Sequence, residues 1–203
     1  GSGLEGFFCS KMKVSFLIDG FNLYHSIEDL QTQQRLKVKW LDVKTLLHSY
    51  LTDLGKEAKF NGIYFFTAIR DHVAQEKPQS IARHKRYLKV LKSTGIEIIY
   101  GKFKPKTIKC KDCGADFTAY EEKKTDVAIA SKLIELAQSS YSDICVIVSG
   151  DTDLIPAIQL AKVINKEIKI YVIFPYLRTN EEVKKYIDGS FSIKPERYSS
   201  SQF

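Results

Sequence analysis

The sequence contains no long apolar run, and its 203 residues include only four cysteines, five prolines, one methionine and one tryptophan. No stretch approaches the roughly 20 apolar residues that cross a bilayer, which excludes a membrane helix, and the opening GSGLEGFFCSKMK lacks the apolar centre of a secretion signal. A cytoplasmic protein is therefore expected. The four cysteines decide little by number, and in a cytosolic chain the Cys110 and Cys113 pair points to metal binding or redox work before a structural disulfide. Neither a Gly-x-Gly-x-x-Gly fingerprint nor a Walker loop occurs, so dinucleotide and ATP chemistry have no support. The composition is also wrong for collagen-like, coiled-coil, mucin-like or disordered chains.

What is present suits an ordinary globular domain able to bury a core: 44% apolar, 27% charged and 12% aromatic residues. Thirty-one Lys and Arg against 24 Asp and Glu leave a formal charge of +7, which favours polyanionic partners. The GSG start, with Met12 just ahead of the first strand-like run, marks residues 1–11 as a vector-derived or disordered leader. One domain over 12–195 and a loose tail at 196–203 complete the expected organisation.

Short β-branched or aromatic runs alternate with longer amphipathic ones. Strands are expected from Val14 to Ile18, at 60–68, 96–100, 144–149 and 168–174. Helices are expected at 22–30, 40–51, from Ser80 over SIARHKRYLKVLK, and at 125–139, 154–165 and 180–187. Residues 101–123 carry no helical period and read as an inserted hairpin bearing both central cysteines. Such alternation builds an α/β sandwich of three layers, with a central, mostly parallel sheet and helices on both faces. The apolar runs VSFLI, CVIV and IYVIF agree, because central parallel strands are buried on both sides.

In open α/β sheets the site lies beyond the carboxyl ends of the strands. There the first strand delivers Asp19-Gly20-Phe21-Asn22, and the 144–149 strand delivers Gly150-Asp151-Thr152-Asp153. A further acid, Asp126, opens the helix TDVAIASKLIELA in line with Ala130, Leu133 and Ala137, on its apolar side. Asp151 and Asp126 also have simpler uses as a helix cap and a dipole partner. Neither use accounts for two acidic strand ends together with an acid on an apolar line. Four clustered carboxylates raise one another's pKa, and a hard divalent cation with oxygen ligands relieves them; magnesium or manganese suits such a site better than zinc. The chemistry suggested is phosphodiester hydrolysis, with Asn22 orienting a water or phosphate. His25, on the same helix, reads as a partly buried structural contact.

The pieces FLIDGFNLY (16–24), KKTDVAIASKLIELA (123–137) and VIVSGDTDLIPAIQLAK (146–162) resemble the NYN domains, PIN-like nucleases that include the LabA-like (DUF88) proteins. The resemblance implies a PIN-like (Rossmann-like) fold and metal-dependent ribonuclease activity. It also implies Asp19, Asp126, Asp151 and Asp153 as the acidic, metal-binding cluster, with Asn22 as its polar companion. HAD-type phosphohydrolases also use strand-end aspartates, but they need an acid two residues after the first, where this chain has Phe21.

Between Gln79 and Lys111 ten basic residues face one acid, Glu97. Arg83, Lys85, Arg86, Lys89, Lys92, Lys102 and Lys104, interleaved with Tyr87, Tyr100 and Phe103, are the candidate surface for single-stranded RNA. Cys110-Lys-Asp-Cys113-Gly114 has the spacing of half a zinc knuckle. Its missing ligands would come from Cys9 or from a second chain in a homodimer, and a metal-free hairpin tip is the equal alternative. Cys145, in an apolar run, reads as a buried hydrophobe. The leading expectation is a Mg²⁺- or Mn²⁺-dependent endoribonuclease. An RNA-binding or regulatory module with little turnover, and a zinc-linked interaction domain, stay open.

Overall fold

The computed structural model describes residues 11–73, 75–111 and 113–203, so Cys9 and nearly all of the expected leader lie outside the described residues. In chain order the elements are β1 (Met12–Asp19), α1 (Gly20–Gln34), α2 (Val43–Leu54), β2 (Ala58–Thr67), α3 (Pro78–Ser93), β3 (Glu97–Tyr100), β4 (Lys102–Lys109), β5 (Asp116–Lys123), α4 (Thr125–Ser139), β6 (Ile144–Val148), α5 (Ile155–Ile164), β7 (Lys169–Phe174), α6 (Glu181–Lys184), β8 (Gly189–Ser192) and α7 (Pro195–Ser200). Six strands form one sheet in the order β3-β2-β1-β6-β7-β8, every neighbouring pair parallel. β4 and β5 pair antiparallel as a separate hairpin.

The sheet divides the apolar residues between two cores by the two-residue period of its strands. In β1, Val14, Phe16 and Ile18 face the core built with α1, α2, α3 and Tyr198 of α7. Leu17, between them, faces the core built with α4, α5 and α6. The expected three-layer α/β sandwich is thus the observed one. Cys145 is fully buried on the second face, and burial pushes its thiol up to about 12, so it stays protonated and packs as an apolar side chain.

Capping explains where two helix starts differ from expectation. Asp19 accepts from the backbone of Phe21 and Asn22, so α1 starts at Gly20 instead of 22. Asp42 accepts from Thr45 N at 3.1 Å and starts α2 three residues later than the apolar period suggests. The expected 180–187 helix shrinks to the four residues of α6.

The expected loose tail is a correction. Pro195–Ser200 is helical, and Tyr198 is fully buried, its hydroxyl 2.8 Å from Ser26 Oγ and accepting from Tyr176 N at 3.0 Å. Phe203 N donates to Trp40 O at 2.9 Å, so the chain end is held against the segment before α2. Tyr198→Phe leaves Tyr176 N without its acceptor and is expected to lower stability by about 1–2 kcal/mol, read as a fall in the urea midpoint at unchanged slope.

Candidate metal centre and nucleic-acid surface

The strand order reverses direction between β1 and β6, and a crevice at such a switch point is where ligands bind in open parallel sheets. Asp19 ends β1 there, and the turn 149–153 follows β6. Asp19 is only 5% exposed. Its Oδ1 accepts from Phe21 N at 3.1 Å and Asn22 N at 3.0 Å, and its Oδ2 accepts from Ser149 Oγ at 2.9 Å. Burial pushes this carboxyl up, the bonds from Asn22 and Ser149 oppose the push, and the nearby Asp126 and Asp151 add to it.

Asp151 is half-buried and caps a single 3-10 turn, Thr152–Leu154, with its Oδ1 accepting from Asp153 N at 2.9 Å. Its own N–H donates to Ser149 Oγ at 3.2 Å, so one hydroxyl ties both strand ends together. Asn22 adds a second tie, its Oδ1 accepting from Gly150 N at 3.2 Å. Gly20 and Gly150 are needed for space, since neither has positive φ. A Cβ on Gly20 would lie 2.6 Å from Phe66 O, and one on Gly150 would lie 1.9 Å from Arg178 O. The segment after β7, carrying Arg178 and Asn180, therefore clamps the acidic turn. Arg178 is itself anchored to Asp29 at 2.6 Å.

Asp126 sits in the first turn of α4 and is exposed, which corrects the expectation that it shares the apolar side. Leu133 and Ala137 on that line are buried, whereas Asp126 in the first turn is turned towards Asp19 and Asp151. Partial burial, then Asp151 and Asp153, push its carboxyl up. One carboxylate oxygen from each of Asp19, Asp126 and Asp151 lies within 4.8 Å of the others. Asp153, also exposed, stands outside this trio and acts on it through its charge. Among the described residues no Lys or Arg forms an ion pair with any of the four.

A fifth acid escaped sequence reading. Glu122, near the end of β5, is half-buried and accepts a hydrogen bond from Thr125 Oγ1. Burial pushes its carboxyl up to about 7, with Asp19 and Asp126 adding to the shift. Its only sequence signal was its place four residues before Asp126, in a segment without periodicity. The donor set is entirely carboxylate oxygen and carries excess negative charge, which fits a hard divalent cation. Ligands around magnesium at about 2.0–2.1 Å are at most about 4.2 Å apart, close to the span of the trio.

Residues 13–194 match the NYN domain family. The chain belongs to that family. NYN domains are generally PIN-like nucleases acting on RNA, and an aspartate trio able to hold a metal is compatible with that chemistry. A crystal structure of a protein of unknown function from Vibrio parahaemolyticus is similar at 19% identity, covering 92% of this chain and 95% of that one with a TM-score of 0.60. That likeness establishes the fold. No curated protein matches the sequence.

In this NYN domain the basic residues fall into two groups. Arg83 lies near the start of α3, beside the carboxyl edge of the sheet. Lys102 and Lys104 stand exposed at the base of the β4–β5 hairpin, where Gly101 N donates to Thr67 O at 2.8 Å. Phe103 packs this base onto Phe21 at 5.7 Å between ring centres, and Tyr120 stacks on His72 at 3.8 Å. Lys85 forms an ion pair with Asp71 at 2.9 Å. Arg86, Lys89 and Lys92 are exposed farther along α3, Lys92 about 13 Å beyond Arg83 by helical rise, towards the opposite edge.

Two other expectations meet different surroundings. His25 is exposed, not partly buried, with Nδ1 3.2 Å from Glu28. Cys110 is half-buried and Cys113 exposed at the hairpin tip. Among the described residues no third His, Cys, Asp or Glu joins them in a metal-sized group.

Proposed function

We propose that this NYN domain is a magnesium- or manganese-dependent ribonuclease that cuts single-stranded RNA internally, within the LabA-like branch. The observation that carries this reading is the trio Asp19, Asp126 and Asp151, drawn together at the switch point with no ion-paired Lys or Arg among the described residues. These three would hold the metal, and Asp153 would add negative charge beside it. A bound divalent cation supplies an acidified water and neutralises charge developing on the phosphate.

The chain's own residues prepare that chemistry. Ser149 and the α1 backbone orient Asp19, and Asn22 fixes the turn that carries Asp151, so two members of the trio are positioned in advance. Glu122 exchanges a proton near neutrality beside them. Arg83, Lys102 and Lys104 border the same edge and hold the strand by its phosphates.

Incubating end-labelled single-stranded RNA with the protein and Mg²⁺ or Mn²⁺ is expected to yield internal products, and chelation is expected to abolish them. Absence of products with either metal contradicts the reading. RNA that binds without being cut would instead identify a regulatory binding module.

The split of the basic residues makes a separate prediction. Lys102→Ala with Lys104→Ala is expected to weaken RNA binding and reduce the log–log salt slope by about 1–2, near one for each phosphate that a lysine no longer neutralises. Lys89→Ala with Lys92→Ala is expected to change the slope much less. Fluorescence anisotropy at several salt concentrations checks both.

A further inference from the structure

Next to the acidic crevice lies a second cavity, of about 360 Å³, that the acid chemistry does not use. Gly20 and Phe21, the two residues after Asp19, form part of its wall, so the wall is continuous along the chain with the candidate metal centre. The lining combines aromatic and cationic groups. Phe21, Tyr24 and Trp40 present aromatic rings, and Lys39, Arg70 and Arg83 bring three cationic groups. Tyr24 and Trp40 remain 41% and 37% exposed, so both rings are open to a ligand. The Arg70 guanidinium lies 5.9 Å from the Phe21 ring centre and 5.7 Å from that of Phe103.

We infer that this cavity receives one unstacked nucleobase of the RNA strand whose phosphate lies at the Asp19, Asp126 and Asp151 cluster; the inference rests on the nuclease reading of that cluster. Three features favour a nucleotide. The volume falls within the roughly 300–1,000 Å³ range of small-molecule sites. Aromatic faces with a cationic rim match the two parts of a nucleotide, a flat π-surface and an anionic phosphate. RNA-recognising proteins commonly take single-stranded bases out of the stack onto aromatic and Arg planes. His84 is also in the lining, and burial, then Arg70, lower its pKa, which favours the neutral ring with one donor and one acceptor nitrogen.

Trp40 is the only tryptophan in the chain, so its fluorescence reports on this cavity alone. Adenosine and uridine 5′-monophosphates are titrated against the full chain with EDTA present, and ribose 5-phosphate serves as the control without a base. The nucleotides are expected to quench Trp40 saturably, with little effect from ribose 5-phosphate. Tyr24→Ala is expected to weaken nucleotide binding about tenfold, as loss of one stacking ring implies, while Tyr24→Phe keeps it. With short RNA and metal, Tyr24→Ala is expected to raise KM far more than it lowers kcat.

The inference is overturned if neither nucleotide alters the fluorescence, if ribose 5-phosphate acts equally, or if Tyr24→Ala, verified as folded, binds like the parent. Failure of the nuclease reading looks different. Nucleotides would then quench a protein that cuts no RNA, whereas RNA cleavage without base-dependent quenching would remove the cavity assignment and keep the nuclease.

Discussion

Asp19→Asn is expected to lower RNA cleavage by at least about 10²-fold, a loss of roughly 2.7 kcal/mol of transition-state stabilisation, while the fold persists. Asparagine retains a carbonyl oxygen for the N–H groups of Phe21 and Asn22, and Asn and Asp cap helices about equally well. Its amide can donate to Ser149 Oγ where the carboxylate accepted from it. What disappears is one negative charge from a trio whose carboxylate oxygens lie within 4.8 Å of one another. Without metal the variant is therefore expected to melt at or slightly above the parent's temperature, because a buried, poorly compensated charge has gone. Equal cleavage by the two proteins would remove Asp19 from the chemistry. Lost cleavage with a collapsed melting temperature would make its role structural.

The second large effect is a metal stabilisation that depends on pH. Glu122 has an ordinary carboxyl in the unfolded chain, near 4.5, and one pushed up to about 7 in the folded protein by burial, then by Asp19 and Asp126. The folded state therefore binds the proton more tightly. The stability this contributes is fully present below about pH 4.5 and is lost as pH rises through 7. Asp19 and Asp126 are raised too, so their contributions are also lost as pH rises, and they add to the same trend. Glu122 is half exposed, so solvent screening brings its share to about 1–2 kcal/mol, or roughly 2–8 °C in melting temperature for a chain of this size. Without metal, melting temperature is expected to fall between pH 5 and 8, and Glu122→Gln is expected to flatten that fall. Added Mg²⁺ is expected to stabilise strongly at pH 8, by about 2.7 kcal/mol at 100 times its Kd, and far less at pH 5, where protons occupy the carboxylates. A metal effect independent of pH would contradict the assignment.

These expectations depend on residues that differ in how openly the sequence displays them. Asp19 and Asp151 were legible because one ends an apolar parallel strand and the other lies in the turn just after one, and the carboxyl edge of such a sheet is where ligands bind. Thr125 to Ser139 was legible as a helix from its period alone, yet the same period misplaced Asp126. Periodicity carries no information about what stands opposite a helix's first turn. Glu122 was hidden because a hairpin without helical period returns it to the crevice, a consequence of the β4–β5 register and not of any local pattern. The carboxyl-terminal elements were missed for a related reason. GSFS and PERYSS are short and polar, and they are ordered by distant contacts such as the bond between Tyr198 and Ser26, 172 residues apart. The glycines of the acidic turns are required by the backbone of Phe66 and Arg178 crowding against them, a long-range cause that no local pattern displays.

The net charge of +7 resolves into two opposed local fields. Arg83, Lys102 and Lys104 border the edge at which Asp19, Asp126 and Asp151 converge, so under the proposed function a polyanion held by the first group would pass over the second. Without a cation that passage is repulsive, so the proposed chemistry stands or falls on metal binding. Anomalous diffraction from crystals soaked in Mn²⁺ is the decisive measurement. One strong peak is expected between the carboxylates of Asp19, Asp126 and Asp151, absent in Asp19→Asn crystals; no peak at saturating Mn²⁺ would contradict the metal site and the nuclease built on it.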